Sequence, residues 1–472
     1  MTDVEARTLN GETQRLDEDA LNDLRGQVRG QVVQVGDSSY NETRQIWNAM
    51  IDRHPSVIVR CCGTADVLYA VKFAQQHQLL TSVRGAGHNI GGMSLHDGAM
   101  LIDLSTMNSV RVDPEAQVAV AGPGATLGDV DHETQAYGLA VPLGINSTTG
   151  IGGLTLGGGF GWLSRSYGMT VDNLIAAEVV TAAGDRLRCD ASHHEDLFWA
   201  IRGGGGNFGI VTSFEYKLHP VGPEIMSGPI IFPFSQAKPV LHAYREFCAS
   251  CPDELTVWVV IRDAPPLPFL AEELHGTRVL ILVALYNGAL DAGEKALAAL
   301  RQLGQPIADG FAPHPFVGFQ QAFDPLLTPG ARNYWKSHNF TQLSDELIDS
   351  LVDYGARLPS PQSEIFVAQL GGAINRIASD ATAYPHREVE YVLNVHTRWD
   401  DVSDDEGCVT WARQFYETTK PFATGGVYVN FISEGEDRVQ GAYGSNYDRL
   451  AQVKAKYDPE NFFRVNQNIA PG

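Results

Sequence analysis

The chain has 472 residues, more than one compact hydrophobic core accommodates, so we expect two domains. Hydrophobic residues make up 44% of the chain and charged residues 19%, as in an ordinary globular protein, which excludes a disordered chain. The formal net charge is −22, and a field of that sign repels nucleic acid and anionic membranes, so we expect neither as a partner.

The start of the chain and its cysteines bear on the cellular compartment. The first residues are polar and acidic and lack the basic and apolar stretches of a secretory signal, and no apolar run is long enough to span a membrane. The six cysteines are scattered. Cys248 and Cys251 form a single CxxC pair with no nearby histidine, which favours a structural role over a redox or zinc role. These features predict a cytoplasmic protein without a bound metal.

The first half of the chain alternates helical and extended segments. Apolar spacing predicts helices at 66–78, 126–138 and 195–201, and strands at 79–83, 99–105, 109–121 and in a hairpin at 173–190. Glycine clusters at 85–92, 122–124, 144–161 and 203–209 separate these segments. Several separate glycine turns bring bare backbone close to an extended ligand, so they favour a large nucleotide cofactor over a small molecule.

The last of these clusters tests a different hypothesis. Residues 204–209, GGGNFG, match the pattern GxGxxG of dinucleotide-binding domains. A Rossmann unit needs a strand before this pattern and a helix after it, whereas here a predicted helix precedes it and a β-rich segment follows. The context is therefore reversed, and we do not expect a Rossmann fold.

From about residue 216 glycine becomes rarer, and extended segments alternate with amphipathic helices, which predicts an antiparallel sheet backed by helices. Period-2 alternation in EYVLNVHTRWDD places four polar residues on one face: Asn394, His396, Arg398 and Asp400. The segment GVYVNFI reads as another strand, with Tyr428 and Asn430 on one face. Four polar side chains on one face are unusual for a core, so this face is predicted to line a cleft.

Five motifs in the chain are together recognisable. They are RGAGHNIGG (84–92), AGPGATLGDV (121–130), GIGGLTLGGGFGWLSRSYG (150–168), DLFWAIRGGGGNFGIVT (196–212) and NYDRLAQVKAKYDPENFFRVNQNI (446–469). This set resembles the berberine-bridge-enzyme-like FAD-linked oxidases of the vanillyl-alcohol-oxidase superfamily. The resemblance implies an α+β fold: a two-subdomain FAD-binding domain of the p-cresol-methylhydroxylase (PCMH) type from 1–215 and 436–472, with a substrate domain at 216–435 between them.

The resemblance also implies the cofactor, FAD, and its attachment. The family's loop histidine, bonded to the flavin 8α-methyl group, falls on His88. The cysteine that forms a second bond in many relatives is replaced by Asn146, so we expect one covalent bond, as in the 6-hydroxy-D-nicotine oxidase type. Further FAD contacts are implied for Arg84, Gly85, Ala86, Gly87, Asn89, Gly124, Asn146, Thr148, Thr149, Gly152, Gly153, Gly209, Ile210, Val211, Asn430 and Gln467.

The activity implied is removal of a hydride from a carbon next to a hydroxyl or amine, with molecular oxygen as acceptor and hydrogen peroxide as product. Thr149 stands where the family has a valine that controls oxygen access, and its similar shape favours an oxidase over a dehydrogenase with another acceptor. A flavin-binding protein without catalysis is a third interpretation. A sugar, a secondary-metabolite alcohol and a cyclic amine all remain as small-molecule substrates, and the oligomeric state stays open.

Catalysis of this kind usually needs a base beside the substrate. Tyr428 is the first candidate by resemblance. Because a free tyrosine has a pKa of about 10, it requires a nearby cation or donated hydrogen bonds, and Arg398 or Lys336 is available as the cation. His396 is a second candidate because the pKa of an imidazole needs no shift for it to act as a base near neutral pH. Asp400 falls where relatives place a carboxylate or amide beside the substrate.

Overall fold

The computed structural model describes residues 4–433 and 438–472 and confirms the predicted α+β fold. The N-terminal half contains two larger sheets. One has four strands in the spatial order Gln31–Gln34, Val57–Arg60, Met100–Asp103 and Thr81–Arg84, the last three parallel. The other has five antiparallel strands in the order Arg186–Asp190, Leu174–Val180, Ile210–Lys217, Val118–Ala121 and Val110–Asp113.

An eight-stranded antiparallel sheet forms the second part of the molecule. Its main path runs through Ala308–Asp309, Glu224–Pro233, Arg278–Tyr286, Leu255–Asp263, Glu364–Gln369, Tyr391–Trp399 and Arg332–Phe340, and Ala312–Pro315 pairs with Glu224–Pro233. The two-stranded pairs are Val4–Arg7 with Thr13–Leu16, and His219–Pro220 with Leu139–Ala140.

Both faces of the large sheet are buried, which explains its nearly continuous apolar strands. Along Leu255–Asp263 all residues but the last are buried. Val257 and Val259 pack into one core cluster with helices on the outer face, whereas Trp258 packs into another cluster that faces the N-terminal half. The inner face of this sheet is therefore the surface that meets the glycine-rich loops.

The α-helices cover the sheets and connect them. They are Glu18–Gln27, Tyr40–Thr43, Thr64–Gln76, Leu127–Gln135, Ile151–Leu156, Ser164–Tyr167, Glu195–Ile201, Ala237–Cys248, Leu290–Ala298, Phe316–Gln320, Asp345–Gly355, Asp405–Thr419, Val439–Tyr443 and Tyr447–Tyr457. Among the described residues, no helix is both long and apolar enough to cross a membrane.

A buried lysine holds the C-terminal segment against the N-terminal half. Lys454, on helix Tyr447–Tyr457, donates to the carbonyl oxygens of Asn207 and Phe463 and to the carboxylate of Asp458, at 2.7, 2.9 and 2.6 Å. Lys454 and Asp458 are fully buried, so each charge depends on the other. Asn207 belongs to the glycine cluster at 203–209, so this pair holds the tail against that loop.

One sequence prediction about chain organisation differs from the structure. The segment GVYVNFI is not a strand, because a 3₁₀ turn occupies Val429–Phe431. The predicted domain boundaries stay predictions: the position after residue 215 lies inside strand Ile210–Lys217, and the position between residues 435 and 436 lies outside the described residues. The predicted hairpin at 173–190 agrees with the structure.

A buried carboxyl group lies where the two parts of the molecule meet. Helix Leu127–Gln135 begins with a capping box between Thr126 and Asp129, and it carries Asp131 one turn from its start. One carboxylate oxygen of Asp131 accepts from Gln320 Nε2 at 3.1 Å, while the other has no hydrogen-bond partner among the described residues. Burial raises the pKa of Asp131 to about 7.

This carboxyl group makes stability depend on pH. Because its pKa is raised above the ordinary value of 3.8, the folded protein keeps a proton that the unfolded chain has lost, so stability falls as the pH rises from about 4 to about 7. We expect Asp131→Asn to stabilise the protein by about 2 to 3 kcal/mol more at pH 8 than at pH 5. Thermal unfolding of both proteins at the two pH values measures this difference, and a difference that is the same at pH 5 and pH 8 contradicts it.

Candidate functional site

A cavity of about 350 Å³ lies between the glycine-rich loops and the inner face of the large sheet. One end is lined by backbone and small residues, and the other by side chains of the sheet. The predicted cofactor residues that line it are Gly85, Ala86, Gly87, His88, Asn89, Asn146, Thr149, Gly152, Gly153, Gly209, Ile210, Val211, Asn430 and Gln467. Tyr428 and His396 line it as well.

The glycine-lined end is shaped to hold an extended ligand. A Cβ atom added at Gly153 or Gly206 would meet no atom within 4 Å, so open space stands directly before the backbone at both positions. At Gly152, in contrast, a Cβ would lie 2.9 Å from the carbonyl oxygen of Pro123, so that glycine allows two loops to pack closely. The hydroxyl of Ser94 is buried at this end without a hydrogen-bond partner among the described residues. Exposed backbone and an unpaired hydroxyl in one groove fit the predicted FAD.

Three of the predicted cofactor residues do not line this cavity. The guanidinium of Arg84 makes two hydrogen bonds to Asp103, at 3.1 and 2.7 Å, and so holds the loop from behind. A Cβ at Gly124 would lie 2.1 Å from the carbonyl oxygen of Leu104, so this glycine serves chain packing. Thr148 lies behind His88 and contacts its ring. For these three, a supporting role replaces the predicted direct contact.

The imidazole of His88 is fixed on two sides. Its ring stacks on Trp47 with centroids 5.0 Å apart and planes 24° from parallel. Its Nε2 lies 2.9 Å from the hydroxyl oxygen of Thr148. Burial lowers the pKa of His88 to about 4, so the ring is neutral at physiological pH. A neutral imidazole has one nitrogen with a free lone pair, which is the nucleophilic form.

The hydrogen bonds around Thr148 determine which nitrogen that is. The backbone N–H of Thr148 donates to Asn146 Oδ1 at 3.0 Å, which orients the amide with its oxygen toward Thr148. The Thr148 hydroxyl also donates to that oxygen, at 2.6 Å, so its own oxygen accepts from His88. The proton of His88 is therefore on Nε2, and Nδ1 carries the lone pair.

At the other end of the cavity, a histidine and a carboxylate form a buried pair. His396 Nδ1 lies 3.0 Å from Glu364 Oε1, and the second oxygen of Glu364 accepts from Arg262 at 2.7 Å. Burial alone would raise the pKa of Glu364, but Arg262 and His396 lower it to about 2, so the carboxylate is charged. His396 Nε2 faces Asn333 Oδ1 at 3.4 Å. Because cross-strand pairing places Glu364 opposite His396, the sheet register itself forms this pair.

The walls around this pair are mainly aromatic. Rings that line the cavity belong to Phe160, Trp258, Trp335, Phe366, Tyr428 and Phe431. Two polar atoms here, Trp335 Nε1 and Asn394 Oδ1, are buried without a hydrogen-bond partner among the described residues. Among the described residues that line the cavity, Glu364 is the only Asp, Glu, Lys or Arg. This end therefore offers a flat apolar space with few polar contacts.

The contacts of Tyr428 bear on its predicted role as the base. Its hydroxyl oxygen accepts from the backbone N–H of Gly159 at 3.0 Å and from Asn430 Nδ2 at 2.9 Å. Burial raises the pKa of Tyr428 to about 12, although these two hydrogen bonds act to lower it. Of the predicted cations, Lys336 lies over the ring of Tyr416 and Arg398 over the ring of Trp47. A protonated hydroxyl with both lone pairs engaged can only donate, so these contacts favour a donor, and the base stays a prediction.

Arg398 and Asp400 are not brought to the cavity. Arg398 is buried, but its guanidinium donates to Gln362 and to the carbonyl oxygen of Thr328. Strand Tyr391–Trp399 ends before Asp400, which is exposed and accepts a hydrogen bond from Gln362 at 2.6 Å. The prediction that all four polar residues of this segment face the cleft is therefore wrong beyond Asn394 and His396.

Sequence reasoning missed several residues of the site: Trp47, Ser94, Trp258, Trp335, Glu364 and Phe366. Alternation within strand Glu364–Gln369 places Glu364 and Phe366 on one face. The sequence holds no comparable signal for Trp47, which comes from a loop far from the other residues in the chain.

Comparison with known proteins agrees with this architecture. Residues 55–190 match the FAD binding domain family, and residues 427–470 match the family described as berberine and berberine like. An FAD-linked oxidoreductase of Bacillus subtilis is 32% identical over 94% of this chain and 99% of its own length. The (R)-6-hydroxynicotine oxidase of Paenarthrobacter nicotinovorans is 30% identical over 94% of this chain and 97% of its own.

Solved structures show the same fold. The crystal structure of 6-hydroxy-D-nicotine oxidase from Arthrobacter nicotinovorans superposes with a TM-score of 0.83 at 27% identity and covers 94% of this chain and 98% of its own. Fold, sequence and cavity together define an FAD-linked oxidoreductase. Within that class, the chain belongs to the berberine-bridge-enzyme-like family with a PCMH-type FAD-binding domain.

Proposed function

We propose that this protein is an oxidase that carries FAD bonded to His88 and oxidises a small aromatic alcohol or cyclic amine. The observation that carries the proposal is the pair His396 and Glu364, which shares one aromatic cavity with the glycine-lined end. A base beside a cofactor groove is the arrangement needed to oxidise a C–H bond next to a hydroxyl or amine.

FAD would be held by the loops at 85–89, 144–153 and 205–211 and by Gln467. The neutral His88, with its lone pair on Nδ1, supports a single bond to the 8α-methyl carbon. Asn146 takes part in holding the histidine and has no sulfur with which to form a second bond. Bound FAD supplies the acceptor for a hydride and passes both electrons to molecular oxygen, which gives hydrogen peroxide.

The cavity favours aromatic alcohols and cyclic amines over sugars. A sugar presents several hydroxyl groups, each of which needs a hydrogen-bond partner when it is buried. The sheet end of the cavity is lined mainly by aromatic rings, which instead suit a planar ring. The described part of the lining contains the carboxylate of Glu364 and no Lys or Arg, which disfavours an anionic substrate.

The side chains at this end have separate tasks. With Nδ1–H donated to Glu364, His396 Nε2 accepts the proton from the substrate hydroxyl or amine. Glu364 and Asn333 Oδ1 then stabilise the imidazolium as hydrogen-bond acceptors. The Tyr428 hydroxyl and Trp335 Nε1 act as donors that orient the substrate.

Formation of peroxide distinguishes molecular oxygen from other electron acceptors. Thr149 lines the cavity. Its side chain has nearly the same shape as that of valine, which supports oxygen access. We expect purified protein to be yellow and the colour to stay in the pellet after acid precipitation. Aromatic alcohols and cyclic amines, tested beside sugars, are expected to bleach the flavin without air and to yield peroxide with air. Bleaching without peroxide would indicate a dehydrogenase, and a colourless protein would refute the proposal.

A further inference from the structure

The CxxC pair Cys248 and Cys251 lies outside the cavity described above. Cys248 is the last residue of helix Ala237–Cys248 and is buried, whereas Cys251 is partly exposed. Both are free thiols, and the thiol of Cys251 donates to the backbone carbonyl oxygen of Cys248 at 3.5 Å. The two cysteines are therefore held next to each other at the end of this helix.

Two side chains donate to the sulfur of Cys251, which also faces the carbonyl oxygen of Cys248. Gln369 Nε2 donates to it at 3.2 Å, and the guanidinium of Arg165 donates at 3.5 Å. The hydrogen bond from Cys248 and the charge of Arg165 lower the pKa of Cys251 to about 6. Such surroundings stabilise a thiolate, which is the nucleophilic form of cysteine.

Arg165 is positioned for this contact and does not reach the sulfur by chance. Its side chain is buried and donates to the carbonyl oxygens of Leu255, at 2.9 Å, and Leu370. These two carbonyls belong to neighbouring parts of the large sheet, so the guanidinium is fixed beside Cys251. A merely structural cysteine needs no cation at its sulfur.

Cys248 has the opposite surroundings. Burial raises the pKa of its thiol, so it stays protonated beside the reactive sulfur. Zinc does not explain the pair, because no group of three or more His, Cys, Asp or Glu residues in the described chain is arranged to hold a metal. A reactive thiol next to a protonated one is the arrangement of a dithiol that closes to a disulfide.

We propose that Cys251 and Cys248 form a peroxide-reactive dithiol. The Cys251 thiolate attacks one oxygen of hydrogen peroxide, the O–O bond breaks, and hydroxide leaves, which gives a sulfenic acid. The sulfur of Cys248 then attacks the sulfur of Cys251. The S–O bond breaks as the disulfide forms, and the hydroxyl leaves with the Cys248 proton as water. In sum, two thiols lose two hydrogen atoms and one peroxide becomes two water molecules. This site goes beyond the proposed oxidase, whose product is this same oxidant.

The test uses purified holoprotein and added peroxide, so its outcome does not depend on oxidase activity. Cleavage after Arg245 and Arg262 gives one peptide, residues 246–262, that contains both cysteines and no other. After treatment with peroxide, we expect this peptide to lose two hydrogen atoms in mass and to regain them with a dithiol reductant. In Cys248→Ser, the sulfenic acid on Cys251 is expected to persist and to be trapped by a 1,3-diketone reagent.

Cys62 provides an internal control because it is also partly exposed. Its sulfur is contacted by the hydroxyl of Thr106 at 3.9 Å, and within the described part of the chain no cation donates to it. We expect Cys251 to react at least about tenfold faster than Cys62, because thiolate character sets the rate. If peptide 246–262 of the unmutated protein stays reduced, or if Cys62 reacts as fast as Cys251, the proposal is wrong.

Discussion

Replacing His396 by asparagine is expected to slow the bleaching of FAD by substrate about 10²- to 10⁴-fold, the usual contribution of a general base. The side chain of asparagine fits the space but cannot take up the proton from the substrate. Because the aromatic walls remain, we expect the substrate concentration for half-maximal bleaching to change by less than about threefold. Rapid-mixing absorbance measurements without air give both quantities.

Two variants distinguish the base from residues that orient the substrate. Glu364→Gln keeps the shape of the side chain but removes the charge that stabilises the imidazolium, so it is expected to slow bleaching as well. Tyr428→Phe removes only a donor, and we expect about a tenfold effect that falls mainly on binding. If Tyr428→Phe slows bleaching more than His396→Asn does, the tyrosine is the base and the assignment to His396 is wrong.

Much of the fold follows from local sequence. The predicted helix at 66–78 is observed at Thr64–Gln76, and the hairpin at 173–190 is observed with its strands at Leu174–Val180 and Arg186–Asp190. In these segments the apolar spacing alone specifies the element. The segment GVYVNFI has the alternation of a strand, but that pattern cannot reveal whether a partner strand is available, and here a 3₁₀ turn forms.

The site was less predictable because it depends on contacts between distant segments. Alternation correctly grouped Asn394 with His396, but it also included Asp400. The partner strand begins at Arg332, which pairs with Trp399, so the ladder ends before Asp400 and its side chain turns to solvent. Strand register, which no local pattern gives, likewise decides that Glu364 lies opposite His396.

The glycine clusters were also only partly predictable from sequence. They correctly indicated where backbone forms one end of the cavity, because open space before a glycine is a local property of a loop. They did not separate Gly153, which faces that space, from Gly124, whose missing side chain allows close packing against Leu104. A glycine that meets a ligand and one that meets the protein's own backbone look the same in sequence.

Replacing His88 by alanine is expected to leave FAD bound but removable. The glycine-lined end of the cavity is unchanged in this variant, so the protein stays yellow when native. The imidazole at the predicted attachment position is then missing, Asn146 has no sulfur, and no cysteine is among the described residues that line the cavity. We therefore expect all of the flavin in the supernatant after acid precipitation, against almost none for the unmutated protein.

Variants of Thr148 test whether its hydroxyl sets the tautomer of His88. Thr148→Val keeps the shape but removes the oxygen that accepts from His88 Nε2–H, so the two tautomers of the ring become more equal. Since a neutral hydrogen bond is worth about 1 kcal/mol, its loss lowers the reactive tautomer from a large majority toward about half. We therefore expect covalent attachment to apoprotein to slow by up to about twofold, while Thr148→Ser restores the rate. Equal rates for Thr148→Val and the unmutated protein would mean that Thr148 does not set the tautomer. Flavin that stays with His88→Ala after acid would instead reveal a different attachment residue, so the two variants separate how the bond forms from where it forms.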